Sequence, residues 1–190
     1  MSNLITDNRK KIFNSYNEMI NNAEDYALDG EEVKRICNGK VRVMFYEQLE
    51  NTHDIDSVLA PFGAVILLYR SSEGFGHFVA LLKTGENELE FFDPLGFGPD
   101  ELTMLEYHSR IHNDTRVKHL TFLINNSNYR LKVNNKRIQQ FNDHTNTCGR
   151  HASVRVRMRN YTLEEYIKWI TSKDNKQSPD FIVSSLTIMV

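Results

Sequence analysis

The chain reads as an α+β protein, with a central mixed, mainly antiparallel sheet flanked by helices. Three observations predict this. Apolar residues recur at helical spacing near the start, three short apolar and aromatic runs follow one another through the centre between turn-forming residues, and a capping box opens a helix near the end.

The elements follow in order. From Asp7 to about Tyr26, residues Ile12, Phe13, Tyr16, Met19 and Ile20 fall on one helical face. Asp29-Gly30-Glu31-Glu32 has the form of a cap before a short helix through Ile36, and Asn38-Gly39 stops it. Ile55 to Leu59 forms a third helix. Ala64 to Tyr69, His77 to Leu82 and Glu88 to Phe92 read as successive, largely antiparallel strands, separated by Ser71-Ser72-Glu73-Gly74 and Gly85-Glu86-Asn87. Val117 to Ile124 is expected as another strand. Tyr129 to Val133 and Ile138 to Phe141 are expected as an extended region broken at Asn134-Asn135. Thr162-Leu163-Glu164-Glu165 starts a helix through Ile170, and the apolar tail from Phe181 to Val190 is expected to dock on the body.

Composition narrows the class. With 190 residues, 40% of them hydrophobic, the chain can bury one proper core, so a single domain over 1–190 is expected. A formal net charge of −2 gives no overall basic field, so nucleic-acid binding is possible but not implied. Two cysteines, Cys37 and Cys148, make no disulfide framework and fit a reducing compartment; a Cys37–Cys148 bridge is disfavoured. The polar first ten residues do not read as a signal peptide. The longest apolar run, Ala64 to Tyr69, is too short to span a bilayer, so no membrane partner is expected.

The chemistry is carried by an ordered trio: His77 in Gly76-His77-Phe78, Asp93 in Phe92-Asp93-Pro94-Leu95-Gly96, and Cys148 in Asn146-Thr147-Cys148-Gly149. A thiol becomes a competent nucleophile when an imidazole takes its proton and a carboxylate fixes the imidazole's tautomer. The order His, Asp, Cys differs from the Cys, His, Asn order of papain-like enzymes. Gly149 would let a substrate backbone approach the sulfur and leave an N–H free for an oxyanion.

Each residue also has an ordinary alternative. An isolated cysteine is more often a buried structural group, a lone histidine a satisfied one, and Asp-Pro a turn former. After Cys148, Val154, Val156 and Met158 alternate with Arg155, Arg157 and Arg159, which locally reads as a strand, whereas a helix opening at Cys148 would favour the thiolate. Arg150, Arg155, Arg157 and Arg159 are expected to form a solvated face. His108 and His112, at i, i+4 spacing, lack a recognisable third ligand, so no metal is expected, and no phosphate-cradling glycine loop is present, so no cofactor is expected.

Gly76-His77-Phe78-Val79-Ala80-Leu81, Phe91-Phe92-Asp93-Pro94-Leu95-Gly96-Phe97, and Gln140 ahead of Asn146-Thr147-Cys148-Gly149 together resemble the adenovirus-type and SUMO-protease-type (clan CE) cysteine peptidases. Within that superfamily the chain is most similar to maturation proteases of virophages, polinton-like elements and large DNA viruses. The resemblance covers about residues 30 to 190 and leaves the helical segment 1–28 outside it.

The resemblance implies an adenovirus-protease-like fold, a papain-like superfold with permuted catalytic order, in which Cys opens a helix and His and Asp lie on neighbouring strands. It makes Cys148 the nucleophile, His77 the general base and Asp93 its orienter, with a glutamine amide in the oxyanion hole. Gln140 is favoured over Gln139 for that role. The implied activity is a viral endopeptidase that cleaves capsid or other virion precursors after small residues, often glycine. It would act as a monomer in the host cytoplasm or viral factory and in the virion.

One departure is Phe78, where many relatives carry Trp, so that an aromatic wall is smaller. The competing classes are a deconjugating protease for ubiquitin or SUMO, an acyltransferase on the same scaffold, and a non-catalytic binding module.

Overall fold

The computed structural model describes residues 2–72, 75–101, 105, 117–142 and 144–188, with residues 2–10 described by their backbone. Helix α1 spans Ser2–Asp25 and helix α2 Gly30–Ile36. The cap on α2 is the predicted one: Asp29 Oδ1 accepts from Glu32 N and Glu32 Oε2 accepts from Asp29 N, each at 2.8 Å. Strand β1, Arg42–Phe45, leads through a 3-10 turn over Tyr46–Asn51 into α3, Ile55–Leu59. Strands β2 (Ala64–Ser72), β3 (Phe75–Gly85) and β4 (Glu88–Phe92) follow as an antiparallel meander. Helix α4 is His119–Asn125, and strand β5 is Arg130–Val133. Helices α5 (Cys148–Arg157), α6 (Leu163–Ile170) and α7 (Pro179–Thr187) close the chain.

The sheet order is β1-β2-β3-β4-β5, with parallel pairs at both edges, β1 on β2 and β4 on β5. The result is the α+β class with a mixed, open sheet. The central strands β2 and β3 read as near-continuous apolar runs because both faces are covered. Val65, Leu67, Val79, Leu81 and Phe91 pack with the 3-10 turn, α3 and α4, while Ala64, Ile66, Ala80, Leu82 and Phe92 pack with α2, α5, α6 and α7. Among the described residues no helix is long and apolar enough to cross a membrane.

Three expectations fail here for physical reasons. The segment expected as a strand over Val117 to Ile124 is helix α4, because Leu120, Leu123 and Ile124 are buried at i, i+3, i+4 while Phe122 faces out. Ile138 to Phe141 is not a strand; instead Ile138 N and Gln139 N both donate to Pro94 O, at 2.9 and 3.0 Å. Of the two readings of the segment after Cys148, strand and helix, the helix holds, as α5. Its arginines are not a solvated face, since Arg155 is 0% and Arg150 4% exposed.

Arg155 can be buried because each of its three nitrogens is partnered. Nε and Nη2 grip the two oxygens of Glu90 at 2.6 and 2.7 Å, Nη1 and Nη2 also donate to Met158 O and Tyr161 O, and the guanidinium lies over the Tyr166 ring. Arg150 instead ties α5 to the chain ends, donating through Nε to Ala23 O at 3.0 Å and through Nη1 to Thr187 Oγ1 at 2.8 Å. Arg157 and Arg159 alone of the four are exposed.

Candidate active site

Asp93 leaves the end of β4 into the turn Asp93-Pro94-Leu95-Gly96, which Gly96 N closes on Asp93 O at 2.9 Å. Proline suits the second position of such a turn. Gly96 has φ +79°, and a Cβ there would lie 2.9 Å from Arg137 N, so glycine is required on both counts. The turn aims the carboxylate inward: Asp93 is 1% exposed, and Oδ1 accepts from Leu95 N at 2.7 Å. Asn134 Nδ2 donates to Asp93 O at 2.7 Å and fixes the other side of the residue.

His77, on β3 opposite Tyr69 of β2, places Nε2 2.8 Å from the same Oδ1. A carboxylate only accepts, so Nε2 carries the proton and Nδ1 is left as the base for a thiol. Cys148 supplies that thiol from the first position of α5, hydrogen-bonded to His77 and to the backbone N–H groups of Phe78 and Gly149.

Burial alone would push the Cys148 thiol up. The hydrogen bond and charge of His77, together with the two N–H groups, outweigh it and hold the pKa below its ordinary 9.0. His77 responds in the opposite sense. Burial lowers its pKa, but the charge of Asp93 and the hydrogen bonds to Asp93 and Cys148 raise it from 6.5 to about 10. Both shifts favour a thiolate–imidazolium pair. Cys37 is a contrast: buried among apolar residues, with its Sγ 3.8 Å from Ser153 O, it is pushed up to about 11. Both thiols are free.

Gly149 also has a packing reason. A Cβ at that position would sit 3.1 Å from both Phe78 Cδ2 and Val33 Cγ2, so glycine lets the start of α5 press against β3 and α2.

The two glutamines do face opposite ways, but the inward one is Gln139. Gln139 is 7% exposed and donates through Nε2 to Thr145 O at 3.2 Å, whereas the Gln140 side chain is exposed and its backbone N donates to Asp180 Oδ2 at 3.0 Å. The expectation for Gln140 rested on strand alternation in a segment that is not a strand. Pro94 O instead sets the orientation by holding Ile138 and Gln139 against the Asp93 turn.

Two clefts meet at Cys148, Gly76 and Asn146. One, of about 460 Å³, is bordered by Tyr69, His77, Leu95 and Gln139; the other, of about 370 Å³, by Leu28, Phe45, Leu68 and Phe78. A larger cavity of about 740 Å³ lies between the end of β5 and α6 and contains none of the triad. Size therefore does not choose the site; the convergence of a thiol, an imidazole and a carboxylate does.

His108 and His112 lie outside the described residues. Among the described residues no cluster of three or more His, Cys, Asp or Glu could hold a metal ion. Sequence reasoning missed Asn134, Thr147, His151 and Asp180, which surround the site. An Asp in the first turn of a helix reads as an ordinary favourable charge, and nothing local marks these residues as partners.

No protein-family model matches this chain. Over 168 residues, 87% of this chain and 96% of the other, it is 28% identical to a protein of Sputnik virophage described as uncharacterized protein V9. That similarity suggests a viral origin and assigns no activity.

Proposed function

We propose that this chain is a viral cysteine endopeptidase that cleaves virion precursor proteins. The observation that carries the reading is the buried His77–Asp93 contact of 2.8 Å beside a lowered-pKa thiol at the head of α5. A buried structural cysteine needs neither an imidazole nor a carboxylate behind it, and Cys37 illustrates the difference.

In this reading the Cys148 thiolate attacks the scissile carbonyl carbon, and the carbonyl electrons move onto oxygen. The Gln139 amide, which replaces Gln140 in the role, donates to that oxyanion. The His77 imidazolium passes its proton to the departing amine as the C–N bond breaks, leaving a thioester on Cys148. Neutral His77 then takes a proton from water, whose oxygen attacks the thioester and releases the acid and the thiolate. Asp93 keeps the proton on Nε2 and stabilises the imidazolium.

The virophage relative supports a viral substrate, and the resemblance to maturation proteases supports a small residue, often glycine, before the cleaved bond. The test is incubation of the wild-type chain and Cys148→Ala with virion proteins of the source virus, with new termini identified by mass spectrometry. Cleavage by the wild type alone is expected. Identical fragments from both proteins would overturn the reading.

A further inference from the structure

Outside the triad, one buried acid is tied to both halves of the site. Asp180 lies in the first turn of α7 and is 1% exposed. Its Oδ1 accepts from Thr147 Oγ1 and, at 3.0 Å, from His151 Nε2, and its Oδ2 accepts from Gln140 N at 3.0 Å. These donors come from the residue before the nucleophile, from the next turn of the nucleophile's helix, and from the residue after Gln139. Burial raises the pKa of Asp180, but the His151 contact, then Thr147 and Gln140, hold it below its ordinary value, so it serves as a charged acceptor for all three.

The Thr147 contact has a consequence for α5. A threonine just before a helix normally turns its hydroxyl onto the second or third helical N–H. Thr147 makes no such cap bond: its backbone, at φ −93° and ψ 3°, is not the extended one of a capping residue, and its hydroxyl goes to Asp180 instead. The first N–H groups of α5 are therefore not capped by it, and that of Gly149 reaches the Cys148 sulfur. On the other arm, Gln139 is held between Pro94 O on its own N–H and Asp180 on the next.

We propose that Asp180 is a positioning residue for acyl transfer, which anchors Thr147 and His151 on either side of the start of α5 and holds the Gln139–Gln140 segment at a fixed distance from Cys148. The inference rests on the proposed acyl-transfer chemistry but not on the substrate being a protein. Asp180→Asn has one acceptor oxygen in place of two, and its NH₂ must oppose at least one of the three donors. The predicted defect is in the oxyanion site, not in the thiolate.

Two reagents separate these. Iodoacetamide is attacked at a saturated carbon and loses iodide, with no oxyanion formed. p-Nitrophenyl acetate is attacked at its carbonyl, passes through an oxyanion, and leaves a thioester with release of p-nitrophenolate. Modification of Cys148 is followed for both by mass spectrometry, with thermal unfolding as a fold control.

Asp180→Asn is expected to acylate about 100-fold more slowly, the size of loss that a small misplacement produces, while alkylating within about threefold of wild type. Thr147→Val is expected to slow acylation about tenfold, and Thr147→Ser, which keeps the hydroxyl, to recover it. If Asp180→Asn does not fold, the two Thr147 variants decide. Parallel loss of both reactions, loss of neither, or a wild-type Cys148 that does not acylate would overturn the inference. A wild type that acylates, with variants behaving as expected, but cuts no protein would overturn the endopeptidase reading alone.

Discussion

Replacing Gln139 by alanine removes a side chain with two separable roles. In the folded protein its Nε2 donates to Thr145 O at 3.2 Å, while its Oε1 is buried without a partner. Losing one neutral hydrogen bond costs about 1 kcal/mol of stability, which leaves the chain folded. In the proposed mechanism the amide is one donor to a developing oxyanion, and removal of such a donor lowers turnover by about 100- to 1000-fold, roughly 3–4 kcal/mol. Gln140 contributes its backbone N–H to Asp180 and keeps it in an alanine variant, so Gln140→Ala should stay within about threefold, as for an ordinary surface change. Gln139→Glu is a sharper arm, since it preserves shape but presents a carboxylate to the oxyanion and should be at least as slow as alanine. The assay is single-turnover acylation of Cys148 with stopped-flow detection. If Gln139→Ala acylates within threefold of wild type, the oxyanion is held by backbone N–H groups and the role of the glutamine is wrong. If Gln140→Ala is the slow variant, the orientation of the segment is wrong.

Asp93→Asn is expected to retain more activity than His77→Ala when both are assayed on one peptide. An asparagine oxygen can still accept from Leu95 N and His77 Nε2, and what is lost is the charge behind the imidazolium, worth about 10⁴-fold against roughly 10⁶-fold for loss of the base itself. The rate of Cys148 alkylation should rise with pH through a midpoint below 9.0, because the thiol pKa is lowered, whereas Cys37 should stay unreactive until about pH 11. His77→Ala should move the Cys148 midpoint upward, and an unmoved midpoint would show that the imidazole does not set it. Arg155→Met strands Glu90 in the core and should lower stability in urea unfolding by about 3–5 kcal/mol, and the double variant with Glu90→Leu should recover most of that. An equal loss in the double variant would mean that packing of Arg155, rather than its charge, was the larger effect.

How much of this was legible in the sequence depends on where the deciding interaction lies. Helix α2 was readable because Asp29 and Glu32 cap it within four residues, and α6 because Thr162 and Glu165 do the same. Strands β2 to β4 were readable because each is a short apolar run bounded by turn formers. Strand β1 was not, since of Arg42–Phe45 only Met44 is buried and its pairing with β2 crosses the intervening α3.

Helix α4 is under two turns long, too short for a period of 3.6 to stand out from a period of 2. Helix α5 misled because charge was taken to mean exposure: Arg155 is buried by Glu90 from β4, a partner that no local pattern announces. The same is true of the site. His77, Asp93 and Cys148 carry motifs of their own, and the fold brings them together. That Gln139 rather than Gln140 faces inward is set by contacts of the segment with Pro94 and Asp180, and neither can be connected to it by spacing alone.

The central claim is that Cys148 carries the acyl group during turnover. It is tested most directly by acid-quenching a reaction of enzyme and cleavable peptide within the first turnover, then locating any covalent adduct by mass spectrometry. The expected result is a thioester on Cys148 carrying the N-terminal part of the peptide, absent from Cys148→Ala and strongly reduced in His77→Ala. Peptide hydrolysis at an undiminished rate by Cys148→Ala, with no adduct on any residue of the wild type, would contradict it.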